Sequence, residues 1–182
     1  MNTITNTPLE LFFDQLRYLH SVEVQHGESM PHLVSLCTNE ALRALIVGHA
    51  RQNSNQVAQI TAVFERHGES PGDDRSKGMA ELTEGGAAHL EEVRSPHTRD
   101  LMMVAHCLCV EYHEITAYET TSLLSERLGL MREPEILSGL LGEEKDMAAA
   151  LMLLGPNLFE ALHKRRDASS TLAGNLPMAF QL

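Results

Sequence analysis

The chain has 182 residues, enough for one domain with a sizeable core, and its apolar fraction of 43% is ordinary for a folded protein. Aromatic residues are only 4% and Trp is absent, so the core must be built from Leu, Ala, Val, Ile and Met, which suits packed helices better than a β-sandwich. A net charge of -11 argues against nucleic acid as a partner, because phosphate binding needs a basic face and Lys164-Arg165-Arg166 is the lone basic cluster.

Residues 1–8 have neither the basic start nor the apolar run of a signal peptide. No stretch approaches the roughly 18 apolar residues of a membrane span. Cys37, Cys107 and Cys109 form no disulfide framework and read as buried, reduced thiols. A cytoplasmic protein without a membrane partner is expected.

Thr7-Pro8-Leu9-Glu10 opens the first helix, with Thr7 as N-cap, Pro8 at the first helical position and Glu10 closing a capping box. Leu9, Phe12, Phe13, Leu16, Leu19 and Val22 give helical spacing that continues to Leu36, with a kink or break expected at Pro31. A second helix runs from about Asn39 to His67 and stops at Gly68. Residues 69–77 read as a polar loop. A shorter helix then covers Ser76 to Glu84, broken by Gly85-Gly86 before a brief helical piece at Ala87 to Val93.

Ser95-Pro96 opens the next long helix, which runs to Leu128 and ends at Gly129. Glu133-Pro134-Glu135 opens the last, reaching about Lys164 with a bend or break at Gly155-Pro156. No segment alternates as a strand would. The pattern predicts an all-α fold: two long antiparallel helical hairpins joined by a short helical connection, packed as a four-helix bundle. Residues 1–7 form a lead and 8–166 the bundle domain. Residues 167–182 read as a flexible tail, or as a docking peptide for a partner because Leu172, Leu176, Met178, Phe180 and Leu182 are apolar.

Glutamates stand at the midpoints of three long helices: Glu23 in the first, Glu111 and Glu114 in the third, Glu143 and Glu144 in the fourth. Counting back from each hairpin turn places them at similar levels, where they would share the central layers of one bundle. Such a layer suits two iron or manganese ions, whose charge carboxylates neutralise while imidazole completes the coordination. The second helix carries Arg51-Gln52-Asn53-Ser54 at the same level, without a carboxylate between Glu40 and Glu65. The chain is read as lacking the Glu-x-x-His expected of two helices, with Glu-x-x-Glu at 111–114 and Glu-x-x-Asp at 143–146 in its stead. Buried carboxylates without metal need protons or partners, and Arg51 is the candidate charge to replace the metal, if it does not face solvent. The ten histidines are expected not to cluster; His20 and His49 stand nearest the glutamates and the Arg51 level.

These residues carry a resemblance. Leu11-Phe12 followed by Ser21-Val22-Glu23-Val24-Gln25, then Val110-Glu111-Tyr112-His113-Glu114-Ile115 with Tyr118, and Leu141 with Glu143-Glu144-Lys145, are similar to the YciE/YciF family of bacterial ferritin-like proteins. Met30-Pro31-His32 and Ser76-Lys77-Gly78-Met79 fit as well, and the resemblance spans roughly residues 8–163. It implies a ferritin-like bundle, a homodimer, a link to bacterial stress and a di-metal centre. The chain departs from the family at Arg51 to Ser54, where glutamate-glutamate-threonine-histidine is usual, and at Ala148, where an aspartate is usual.

The expected function is therefore a dimeric, stress-associated structural or interaction module whose central carboxylate site is degenerate, with or without metal. The alternative is a di-iron or single-metal protein with iron or peroxide redox chemistry. Candidate ligands are Glu23, Glu111, Glu114, Glu143 and Glu144; cofactors are none, or iron or manganese; no catalytic residue is assigned.

Overall fold

The computed structural model describes residues 6–174, with side chains described to Lys164. Five helices follow in order: α1 (Pro8–Leu36), α2 (Glu40–His67), α3 (Lys77–Glu92), α4 (Pro96–Arg127) and α5 (Glu133–Gly174). Among the described residues there is no strand.

The helix starts follow the expected local chemistry. Thr7 accepts a hydrogen bond from Glu10 N at 3.2 Å while Glu10 Oε2 accepts one from Thr7 N at 2.8 Å, a closed capping box. Asn39, Ser76 and Ser95 cap α2, α3 and α4 by accepting from the backbone N–H three residues on, without the reciprocal bond. Gly68, at φ 67°, ends α2 in the left-handed region that a side chain would strain.

Tertiary packing overrides three expected breaks. α1 continues through Pro31, whose neighbours Met30 and Leu33 are anchored in the core on both sides. α3 is one helix through Gly85-Gly86 rather than two pieces, because Met79, Thr83 and Leu90 bury one continuous face. α5 continues through Gly155-Pro156, with Leu151 buried just before the pair. It also continues past the expected boundary at 166, so 167–174 are helical; residues 175–182 lie outside the described residues.

Each long helix packs against two others: α1 on α2 and α4, and α5 on α4 and α2. α3 lies over the seam between α1 and α4. The chain folds into a helical bundle with two large apolar clusters. One joins Phe12, Leu16, Ile60, Phe64, Tyr118 and Leu137; the other joins Met30, Leu33, Leu42, Met103, Cys107 and Leu151. The second cluster takes the late part of α1 with the early part of α4, so these helices run antiparallel. Cys37 and Cys107 are buried free thiols; Cys109, also free, is exposed, contrary to the expectation of burial. No described helix is long and apolar enough to cross a membrane.

Candidate metal centre

Between the two apolar clusters lies a layer of polar side chains from all four long helices. α1 supplies Glu23 and His26, three residues apart and so on one face. α2 supplies His49, Asn53 and Gln56, α4 supplies Glu111, Glu114 and Tyr118, and α5 supplies Glu144. All of these are buried, while Glu143 is half-buried at the rim.

The layer has two corners. In the first, single donor atoms from His26, His49, Glu111 and Glu114 all lie within 4.8 Å of one another. His26 Nδ1 stands 2.9 and 3.0 Å from the two Glu114 oxygens, and the His26 and His49 rings are 5.2 Å apart. His49 Nε2 lies 3.5 Å from Glu111 Oε1 and 3.5 Å from Glu144 Oε2. That separation is long for a hydrogen bond. It is near the spacing of about 3.0–3.4 Å between two ligands on one ion with bonds of about 2.0–2.1 Å.

In the second corner, amides take the place of metal ligands. Asn53 Nδ2 donates to Glu23 Oε2 at 2.7 Å and to the Glu23 carbonyl at 3.0 Å. Gln56 Nε2 donates to Glu143 Oε2 at 3.0 Å and to Glu144 Oε1. Gly27 makes room for this arrangement, since a Cβ there would fall 2.3 Å from Asn53 Oδ1.

Burial sets the protonation of the layer. It raises Glu23 and Glu111 to about 8 and Glu144 to about 9, and it raises Glu114 well above the usual carboxylate range, with neighbouring carboxylates adding to the rise in Glu23, Glu114 and Glu144. Burial lowers His49 to about 4 and holds His26 well below the usual imidazole range, where the His49 and His106 rings add to the effect. Tyr118 is raised well above its ordinary value by burial and then by Glu23. At neutral pH the carboxyls hold protons and the imidazoles do not.

The residues fit a metal ion on a structural ground. Both Glu111 oxygens, Glu23 Oε1, Glu144 Oε2 and both His49 nitrogens are buried without a hydrogen bond of good geometry. An orphaned buried polar atom costs about 1–3 kcal/mol, and such atoms stand in both corners, those of Glu111 and His49 in the first. A divalent cation would displace the carboxyl protons and give these atoms partners. Two imidazoles with two carboxylates suit iron, manganese or zinc better than magnesium or calcium.

The sequence expectations meet this geometry as follows. Glu23, Glu111, Glu114 and Glu144 share the central layer, and Glu143 stands at its edge. Arg51 is exposed and forms no ion pair with the buried glutamates; it sits on the outer face of α2, two residues from the inward His49 and Asn53. Of the two orientations left open for Arg51, the solvent-facing one is found, so its charge is not in the layer. The expectation that histidines do not cluster is corrected by His26 and His49. The expectation that the chain lacks Glu-x-x-His is also corrected, because Glu23-Val24-Gln25-His26 is that motif in the first helix and was the signal for His26. For His49 it was the spacing His49, Asn53, Gln56, a single polar stripe along an otherwise apolar face.

A family model described as "Domain of unknown function (DUF892)" matches residues 7–162. The E. coli stress protein YciF is similar in structure, with a TM-score of 0.81 and 25% identity over 86% of this chain and 99% of that one. YcfI, a putative structural protein from Rhodopseudomonas palustris, has a TM-score of 0.79 and 24% identity over 83% and 96%. A protein from Xanthomonas campestris pv. campestris has a TM-score of 0.73 and 18% identity over 88% and 99%. No curated protein matches the chain.

Proposed function

The chain belongs to the DUF892 family of YciE/YciF-type proteins, and from that premise we propose that it is a ferritin-like four-helix-bundle metalloprotein associated with bacterial stress. Its centre takes one divalent transition-metal ion through His26, His49, Glu111 and Glu114. The observation that carries this reading is the convergence of four buried donors within 4.8 Å. Glu111 and Glu114 supply the two carboxylate charges that one divalent ion neutralises. Glu23 and Glu144 stay bonded to Asn53 and Gln56, which leaves the second corner without the ligands a second ion needs. Iron held there would supply peroxide or oxygen redox chemistry, whereas manganese or zinc would hold the layer together.

A second reading is a metal-free structural or interaction module, favoured by the same amide hydrogen bonds, which satisfy carboxylates without any ion. In either reading we propose a second copy of the chain as partner, docked where Tyr112 and Met152 are exposed side by side on α4 and α5. Anaerobic titration of metal-stripped, full-length protein with Fe(II), Mn(II) and Co(II) separates the two readings. One ion per chain, lost in His49→Ala, is expected. Two ions per chain would contradict the single-ion assignment, and none would leave the metal-free module.

A further inference from the structure

A metal ion must reach the buried quartet from solvent, and the two apolar clusters close the bundle along its axis. The lateral seams remain. One of them, between α1 and α4, is covered by α3, and there the covering is thin. A hollow of about 360 Å³ opens between α3 and α4, lined among others by Leu82, Gly86, His89, Met102, His106 and Cys109. Its floor is the His106 ring. Gly86 lets that ring stand against the α3 backbone, since a Cβ there would fall 2.2 Å from His106 Cε1 and Nδ1. His106 Nε2 is buried without a hydrogen-bond partner.

Antiparallel register puts His106 level with His26. Tyr18 and His113 share a hydrogen bond of 2.6 Å, Val22 packs with Val110, and Met30 clusters with Met103. Stepping along α1 by four residues from Val22 reaches His26, and stepping back along α4 by four from Val110 reaches His106. The two imidazoles are also close enough to repel as cations, which is part of what depresses His26. His106 therefore stands between a solvent-facing hollow and the first residue of the quartet. The hollow's donors, an imidazole on each helix with the Cys109 thiol and the Met102 thioether, are of the type that holds borderline and soft transition metals rather than magnesium or calcium.

We infer that the α3–α4 hollow is the entrance through which a divalent transition-metal ion reaches the buried quartet, with the unpartnered His106 imidazole taking the ion in transit. This rests on the metal-binding reading above. Burial lowers His106 below the usual imidazole value, which favours the form with a nitrogen lone pair. It is not itself part of the quartet, and a single imidazole binds weakly enough to pass the ion on.

Stopped-flow mixing of metal-stripped, full-length protein with Co(II), followed by the visible absorption of the bound ion, tests the entrance. His106→Phe keeps a ring against Gly86 and removes both nitrogens; Gly86→Ala pushes the native ring out of place. Loading slowed by roughly tenfold in both, with the final stoichiometry and spectrum of the wild type, is expected. Loading at the wild-type rate in both variants overturns the entrance while the site stands. So does slowed loading in Glu143→Ala alone, which would place the route at the α2–α5 rim. A changed final stoichiometry in His106→Phe would make His106 a resident ligand and overturn its role in transit. A wild-type chain that binds no Co(II) would remove the site and the entrance together. Cys109→Ala, at an exposed position, leaves the fold unchallenged; a smaller slowing is expected there, and an unchanged rate counts against the entrance.

Discussion

The apolar ends of the bundle and its polar middle obey opposite rules on the same helices. At the ends, the apolar clusters are built of groups such as Phe12, Leu16, Phe64 and Leu137, which gain by leaving water and need no specific partner. In the middle, inward positions of the same stripes carry Glu23, His26, His49, Glu111, Glu114 and Glu144, all of which lose hydration, and Glu23, His49, Glu111 and Glu144 keep buried atoms without a hydrogen bond. The ends stabilise the fold, and the middle is carried by them. A layer that weakens the fold and is nonetheless built by four separate helices suits the ion that we propose for it.

The contrast can be broken most severely at an end. Phe12→Ala removes a fully buried ring and should lower unfolding free energy by about 3–5 kcal/mol in chemical denaturation. Metal stoichiometry of the folded fraction should not change; a loss of metal with no loss of stability would reverse the roles assigned to the two regions. A smaller effect of opposite sign is expected in the middle. Glu111→Leu replaces two orphaned oxygens by a side chain of similar size, and should stabilise metal-free protein by about 1–3 kcal/mol while weakening metal binding. Destabilisation of the metal-free form would show that the layer supports the fold without an ion.

The smallest and most graded effect is that of pH. Glu23, Glu111 and Glu144 are raised in the folded state to between about 8 and 9, so native metal-free protein keeps protons that the unfolded chain has already released above its ordinary carboxylate range. Their contribution to stability is complete below the unfolded value of 4.5 and is lost as pH rises through 8 to 9. His49 acts in the other direction, because its value falls to about 4 and its contribution grows with pH only up to the ordinary imidazole value of 6.5. Above that point only the decline remains. Thermal melts of metal-free protein should therefore fall steadily from pH 6.5 to pH 9, and those of metal-saturated protein should fall less, since the ion holds Glu111 and Glu114 deprotonated while Glu23 and Glu144 still titrate. Parallel curves would mean that no ion binds these groups.

Much of the end regions was legible in the sequence, because caps and apolar periodicity are local. Thr7 with Glu10, Asn39, Gly68 and Ser95 mark helix ends from a few residues each. Gly85-Gly86 was misleading for the converse reason: what keeps α3 whole is its buried face and the His106 ring seated against Gly86, both tertiary facts. In the middle, the glutamates could be found because a carboxylate on an apolar stripe is conspicuous and hairpin counting gives its level. The direction of a side chain on α2 could not be read with the same ease. Arg51 faces out and His49, two residues earlier and so about 200° round the helix, faces in, and a reading that points Arg51 at the layer turns His49 away from it.

The most direct test of the central assignment is anomalous X-ray diffraction from crystals of protein loaded with Mn(II) or Zn(II), collected at the absorption edge of the metal. The account predicts one strong peak per chain within bonding distance of His26, His49, Glu111 and Glu114, and no second peak beside Asn53 and Gln56. A peak elsewhere, two peaks in the layer, or none at saturating metal would contradict it.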